Sequence, residues 1–148
     1  MTASQPNPRD AARAEIREFL SEGTRTAKLA TTRKDGRPHV MPIWFVLDGE
    51  DVVFTTGAET VKGRNIRRDG RVSLLVDDER PPFSYVQLNG TASWEDNPSN
   101  MIAWATRIAA RYMGEDRADE YGRRNAVPGE LLVRFTPEKT VAEAGVAD

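Results

Sequence analysis

Residues 59–71 read ETVKGRNIRRDGR, and five of them are cations: Lys62, Arg64, Arg67, Arg68 and Arg71. The whole chain has a formal net charge of −2, so positive charge gathers here against the general trend. Cations at this density either bind an anion or form a solvated helix face. Other chemically capable residues are few. The chain has no cysteine and one histidine, His39. Disulfides, thiolate zinc sites, iron–sulfur clusters and histidine-rich metal centres are therefore excluded, as is a Ser-His triad with a spare base. Anion binding is the chemistry that these residues support by themselves.

On a helical wheel turning about 100° per residue, Ala58, Val61, Lys62, Asn65 and Ile66 share one arc. Arg67 points the opposite way, and Arg64 and Arg68 flank the arc beside Val61. Arg67, Arg68 and Arg71 read as ordinary solvated cations. Lys62 does not, because a lysine among apolar positions must meet a partner or snorkel outward. It also lies in the first turn of its helix, where free N–H groups and the dipole favour an anion. An anion site and a snorkelling structural lysine both stand as readings of this position. A nucleic-acid surface fits less well, since the chain is acidic overall and aromatics do not interleave the cations. With 17 Arg against 4 Lys, the composition reflects a GC-rich genome, so arginine count carries no weight of its own.

The elements that position this stretch follow from pattern. Residues 1–6 form a loose leader, and Asn7-Pro8 supplies a cap and a first-turn proline. Ala12, Ile16, Phe19 and Leu20 at helical spacing predict a helix over 9–20, ended by Gly23. Strands are predicted over 26–32, 38–47, 51–56, 71–77, 84–94 and 130–137, with Asp-Gly turns between early pairs. Pro42 cannot donate to a ladder, so it marks an edge, a bulge or a cofactor-facing stretch. Basic residues 59–68 form a short helix stopped by Asp69-Gly70. Asn97-Pro98 opens a second inserted helix, with Met101, Ala105, Ile108 and Tyr112 on one face and Gly114 at its end. Residues 118–124 add a further turn or two, and 138–148 form a polar tail. The fold class is mainly β (α+β): one domain, a barrel of about six antiparallel strands with peripheral helices. The longest apolar run, VMPIWFVL, is far short of the ~20 residues of a membrane span, and the N-terminus has no signal design. The expectation is a cytoplasmic protein with no membrane and no nucleic-acid partner.

Residues 24–137 resemble the pyridoxamine 5′-phosphate oxidase-like split β-barrel superfamily, and within it the class B coenzyme F420-dependent reductases of actinobacteria. The likeness rests on P-x-W-F in the second strand and on TT-x(5)-K-x-R-N-x-x-R-D-x-R-V-S through the basic helix. It implies that Met41, Pro42, Ile43 and Trp44 lie along a flavin or deazaflavin ring, with Thr55 and Thr56 at the ribityl–phosphate portion. Thr60, Val61 and Lys62 would bind the phosphate, with Asn65 nearby, and Tyr85 would approach the ring. The site would be completed at a homodimer interface, and a small-molecule substrate would stack against the ring. FMN oxidases of the superfamily carry an Arg-Lys pair where this chain has Val61-Lys62. Losing the arginine removes the bidentate fork suited to a phosphate dianion. A lone lysine suits the phosphodiester of F420, whose oligoglutamate tail could meet Arg64 or Arg68. The resemblance thus implies an F420-dependent reductase, with an FMN enzyme or a non-catalytic cofactor- or haem-binding protein as alternatives. Trp44 and Pro42 would supply an apolar wall. His39, on the other side of its strand, is expected to be structural or exposed and is not assigned as an acid. Substrate selectivity would fall to residues 77–84 and 111–125, and no side chain is assigned as catalytic.

Overall fold

A computed structural model describes residues 8–148. The leader expected at 1–6 and the cap expected at Asn7 lie outside the described residues. Helix α1 (Pro8–Ser21) turns Ile16, Phe19 and Leu20 onto the core, while Ala12, on the same face by spacing, is exposed. Then come β1 (Ala27–Thr32), β2 (Pro38–Ile43), β3 (Val46–Asp48), β4 (Asp51–Gly57) and α2 (Val61–Arg68). After these follow β5 (Arg71–Asp78), β6 (Ser84–Glu95), α3 (Pro98–Met113), α4 (Ala118–Asn125) and β7 (Glu130–Glu143). No helix among the described residues is long and apolar enough to cross a membrane.

Every pairing in the sheet is antiparallel, in the order β2-β1-β5-β6-β7-β4-β3. The sheet has seven strands rather than six because the strand expected at 38–47 is broken into β2 and β3 at Trp44 and Phe45. These two strands are adjacent in sequence yet lie at opposite edges of the sheet. A connection of two residues reaches only about 10 Å, so the sheet must curl until its edges nearly meet. No ladder joins them, and the barrel is split at that seam. Pro42, lacking an N–H, is tolerated because β2 pairs on one side only, with β1. Inside the curl lie Phe45, Phe54, Phe135, Leu29, Leu74 and Val133, all fully buried. Burial of such side chains supplies about 1.5–3 kcal/mol each. A second layer forms where α3 covers Val53 and Leu132 on the outer face, with Met101 and Trp104 between.

The polar tail expected after Pro137 is a strand for half its length. β7 continues to Glu143, and residues 139–143 pair with β6 from Asn89 back to Tyr85. A bulge at Asn89/Gly90 absorbs one extra residue, which lets the strand run past a proline. Gly90 is required there, since a Cβ would lie 2.1 Å from the Thr136 carbonyl oxygen. The last residues are tied down as well. Val146 and Ala147 donate their N–H groups to the carbonyls of Phe83 and Pro82, at 2.8 and 2.9 Å.

Candidate functional site: the cationic start of α2 beside the open edge of β2

Helix α2 begins where β4 ends, and two local features fix its start. Thr60 is the N-cap: its hydroxyl accepts from the Gly63 N–H at 3.1 Å and donates to the Gly57 carbonyl at 2.7 Å. Gly63 presses so closely on the preceding turn that a Cβ would lie 2.0 Å from the Gly57 oxygen. The buried Thr56 hydroxyl lies 3.2 Å from that of Thr60. Both hydroxyls therefore hold the helix entrance in place. As at any helix start, the Val61 and Lys62 N–H groups have no partner within the helix, and Val61 is 39% exposed rather than in the core.

The five cations divide sharply. Arg64 donates to Glu59 at 3.3 Å. Arg67 donates to the Ala58 carbonyl at 2.8 Å and to Glu59 at 3.2 Å, so it braces the turn and is not a free surface cation. Arg68 donates to the Thr32 carbonyl and to Asn65 Oδ1, and it too is structural. Arg71 chelates Asp69, holding that carboxyl down to about 2. Asn65 is 3% exposed and spends its amide on Thr31 Oγ1 at 3.0 Å. Among the described residues Lys62 alone of the five is held by no hydrogen bond or ion pair. It is half-buried, as the wheel placed it.

Two titratable groups sense that ammonium. Glu130, at the start of β7, lies over Gly57, with Oε1 3.6 Å from where a Cβ there would be. Burial pushes its carboxyl up and the Lys62 charge pulls it back. His39 is pushed down by partial burial and then by the charges of Arg33 and Lys62. It shares its β2 face with Met41 and the buried Ile43, opposite Pro42, and that face lies against α2.

The β2 edge is apolar and open: Val40, Met41 and Trp44 are 63%, 42% and 36% exposed, and Pro42 is exposed too. Ile43, by contrast, is core, so only its backbone can meet a ligand. Trp44 lies outside the barrel core and stacks on Tyr112 of α3, with centroids 5.0 Å apart and planes within 2°. Its neighbour Phe45 plunges inward, and α3 satisfies the backbone groups freed by the split. The Phe45 N–H donates to the Tyr112 hydroxyl at 3.2 Å, and that hydroxyl donates to the Arg25 carbonyl at 2.9 Å. Arg111 donates to the carbonyls of Phe45, Leu20 and Gly23 at 2.7, 2.8 and 3.0 Å.

Helix α2 packs on β2 and on β4, so Met41 and Pro42 of β2, Thr55 and Thr56 of β4, and Thr60, Val61, Lys62, Arg64 and Asn65 at the helix lie on contacting elements, while Trp44 stands at the seam against α3. Tyr85 is not brought there by its own chain. It sits on β6, two strands beyond β1, roughly 14 Å from β2 at ordinary strand spacing, with its hydroxyl donated to Glu143. Between α2 and the β1–β2 turn runs an open groove of about 620 Å³, lined by Arg33, Lys34, Asp35, Arg64 and Arg68. A more enclosed cavity of about 340 Å³, lined by Trp94, Trp104, Glu95 and Arg134, holds none of the expected site residues.

The family model for pyridoxamine 5′-phosphate oxidase matches residues 12–142. The chain belongs to the pyridoxamine 5′-phosphate oxidase family. The fold agrees with solved structures. The conserved hypothetical protein Rv2991 from Mycobacterium tuberculosis is 29% identical with a TM-score of 0.76, over 87% of this chain and 82% of that one. A structure described as an F420 reductase is also 29% identical, with a TM-score of 0.66, over 84% and 94% of the two chains. HutZ, the heme storage protein from Vibrio cholerae, shares the fold at 22% identity, a TM-score of 0.71 and coverages of 91% and 97%. The sequence offered Arg111 and Tyr112 only within the 111–125 insert and as a helix-face position, and it did not single out Glu130 or Gly63 at this candidate site. Of the latter two, only Gly63 carried a local signal, a glycine inside a helical pattern marking close backbone approach.

Proposed function

We propose that the chain is a coenzyme F420-dependent oxidoreductase, working as a homodimer, that passes a hydride from reduced deazaflavin to a small unsaturated or quinone-like acceptor. One observation carries this reading: Lys62 is the cation of the basic stretch left unpaired among the described residues, at a helix entrance with free N–H groups. That arrangement suits one singly charged phosphodiester. Val61 at the neighbouring position offers no second charge for a phosphate dianion. Bound there, a deazaflavin supplies a hydride from C5 of its ring. The chain's own part is to hold and orient. Lys62 and the Val61 and Lys62 N–H groups would take the phosphodiester, and Met41, Pro42 and the Trp44–Tyr112 stack would take the tricycle and exclude water. The groove with Arg33, Lys34 and Arg64 would accept the acidic tail. Arg64 can turn to it at small cost, because its exposed pair with Glu59 is worth only about 0–1 kcal/mol. Arg68 commits only its Nη2 to Thr32 and Asn65 and also lines this groove, leaving its Nε and Nη1 for the same ligand in the proposed scheme. The 29%-identical F420 reductase supports the cofactor assignment. An uncovered apolar sheet edge supports a second protomer there, whose Tyr85 could then reach the ring.

The deciding experiment is equilibrium titration of the purified protein with F420 and with FMN, alongside its visible spectrum and turnover with quinone and enone acceptors. Tighter binding of F420 with hydride transfer is expected. A bound yellow flavin with no F420 affinity, or a Soret band on adding haem without turnover, would replace this reading with one of its alternatives.

A further inference from the structure

His39 is the chain's one histidine, and the binding scheme above leaves it unused. Its register partner on β1 is Thr31, whose hydroxyl accepts from Asn65 of α2, so α2 packs over this part of the β1–β2 pair. His39 Nδ1 is enclosed and has no hydrogen-bond partner among the described residues. An enclosed polar atom left unpaired is costly and calls for an explanation. The charged groups that bear on it are Lys62 from α2 and Arg33 from the β1–β2 turn, while β1 presents the neutral Thr31. Glu130 of β7 bears on Lys62. A histidine that feels two cations and keeps an enclosed nitrogen unpaired has one complement, an anion.

We propose that His39 takes up a proton when the anionic group of the cofactor binds beside Lys62, so that imidazolium and ammonium hold it together and affinity becomes pH-dependent. This rests on the Lys62 anion site, not on which cofactor carries the anion. In the free protein, burial, Arg33 and Lys62 push the imidazole below the ordinary histidine value, which favours its neutral form. An anion between the cations reverses their effect and raises the affinity of His39 for its proton. Binding then strengthens as pH falls through the raised value and levels off below the free-protein value. Glu130 acts in the same direction at lower pH, because its charged form repels the same anion.

A single histidine makes the test direct, since the imidazole signals of the tag-free protein need no assignment. Their pH midpoint is measured by NMR for the free protein and at saturating F420, and a rise of about one unit is expected on binding. A midpoint unmoved at saturation overturns the proposal. Calorimetric affinities near pH 5.5 and pH 8 are then compared for the wild type, His39→Asn and Glu130→Gln, which cancels any titration of the ligand itself. His39→Asn should lose an about tenfold pH dependence that Glu130→Gln keeps; equal pH dependence in wild type and His39→Asn overturns the proposal. If the wild type binds no F420 at any pH, the functional reading fails separately. The imidazole midpoint with inorganic phosphate or FMN then decides, a rise sustaining the His39 role and a fixed value ending it.

Discussion

Replacing Lys62 with alanine separates binding from folding. Because no ion pair or hydrogen bond is lost among the described residues, stability should shift by no more than the ~0.5 kcal/mol of an unremarkable surface substitution. Relief of a half-buried unpaired charge would partly offset the lost packing of its stem. The ligand, in contrast, loses a charge-assisted contact worth about 1.5–3 kcal/mol. At about 1.4 kcal/mol per decade, F420 affinity should fall by about 10- to 150-fold. Lys62→Met keeps the stem and should show the same loss, which assigns it to charge. Arg67→Ala is the internal control. It removes the donor to Ala58 and Glu59, so it should lower thermal stability while leaving affinity within a few-fold of wild type. Affinities come from calorimetry and stabilities from denaturant unfolding of the same preparations. Equal affinity losses in the lysine and arginine variants would refute the reasoning, as would a Lys62→Ala protein that unfolds easily and binds normally.

Glu130→Gln should raise stability at neutral pH. Its folded-state carboxyl is pushed up by burial, so ionisation opposes folding above that value; the gain should vanish as pH falls below it, read by melting temperature across the acid range. Gly63→Ala should be among the most damaging single-methyl changes, because the new Cβ meets the Gly57 oxygen at 2.0 Å. The expected readout is a melting-temperature drop beyond the ~1–3 kcal/mol of ordinary overpacking, with F420 affinity lost as the helix entrance shifts. Tyr112→Phe leaves the Phe45 N–H and Arg25 carbonyl unpaired and should cost about 1–3 kcal/mol in denaturant unfolding, with the Trp44 stack and ligand binding largely kept.

The parts of this fold that were legible in the sequence are those decided by near neighbours. Periodicity, turns and caps located all four α-helices of the described residues and most strand ends, and the wheel put Lys62 at a half-buried position. The same wheel misjudged Val61, which is exposed, and although it sent Arg67 to the exposed side it could not show the bonds to Ala58 and Glu59, because those partners belong to the β4 turn and not to α2 itself. The break at Trp44-Phe45 was not legible, since residues 38–47 have the composition of one continuous strand. What interrupts them is Arg111 and Tyr112, 66 and 67 residues further along. The extension of β7 was hidden for a similar reason: Pro137 signals an end unless an extra residue beside it, here Glu138 opposite Asn89/Gly90, makes a bulge that excuses its missing N–H.

That break is also what makes the candidate site. Had β2 paired with β3, the barrel would have closed, Trp44 would face a neighbouring strand, and the β2 edge would carry no free surface. Instead two residues spanning the seam take opposite directions. Phe45 goes to the core at 0% exposure, and Trp44 goes to the surface. The freed carbonyl and N–H of Phe45 are met by α3, and the side chain that meets the N–H, Tyr112, is the one on which Trp44 stacks. The group that makes the opening tolerable thus also builds the aromatic floor beside it. A flat apolar ligand placed on that floor would substitute for the missing strand pairing by covering the edge. On this view, anything that re-seals the seam should remove the candidate ligand surface without touching Lys62.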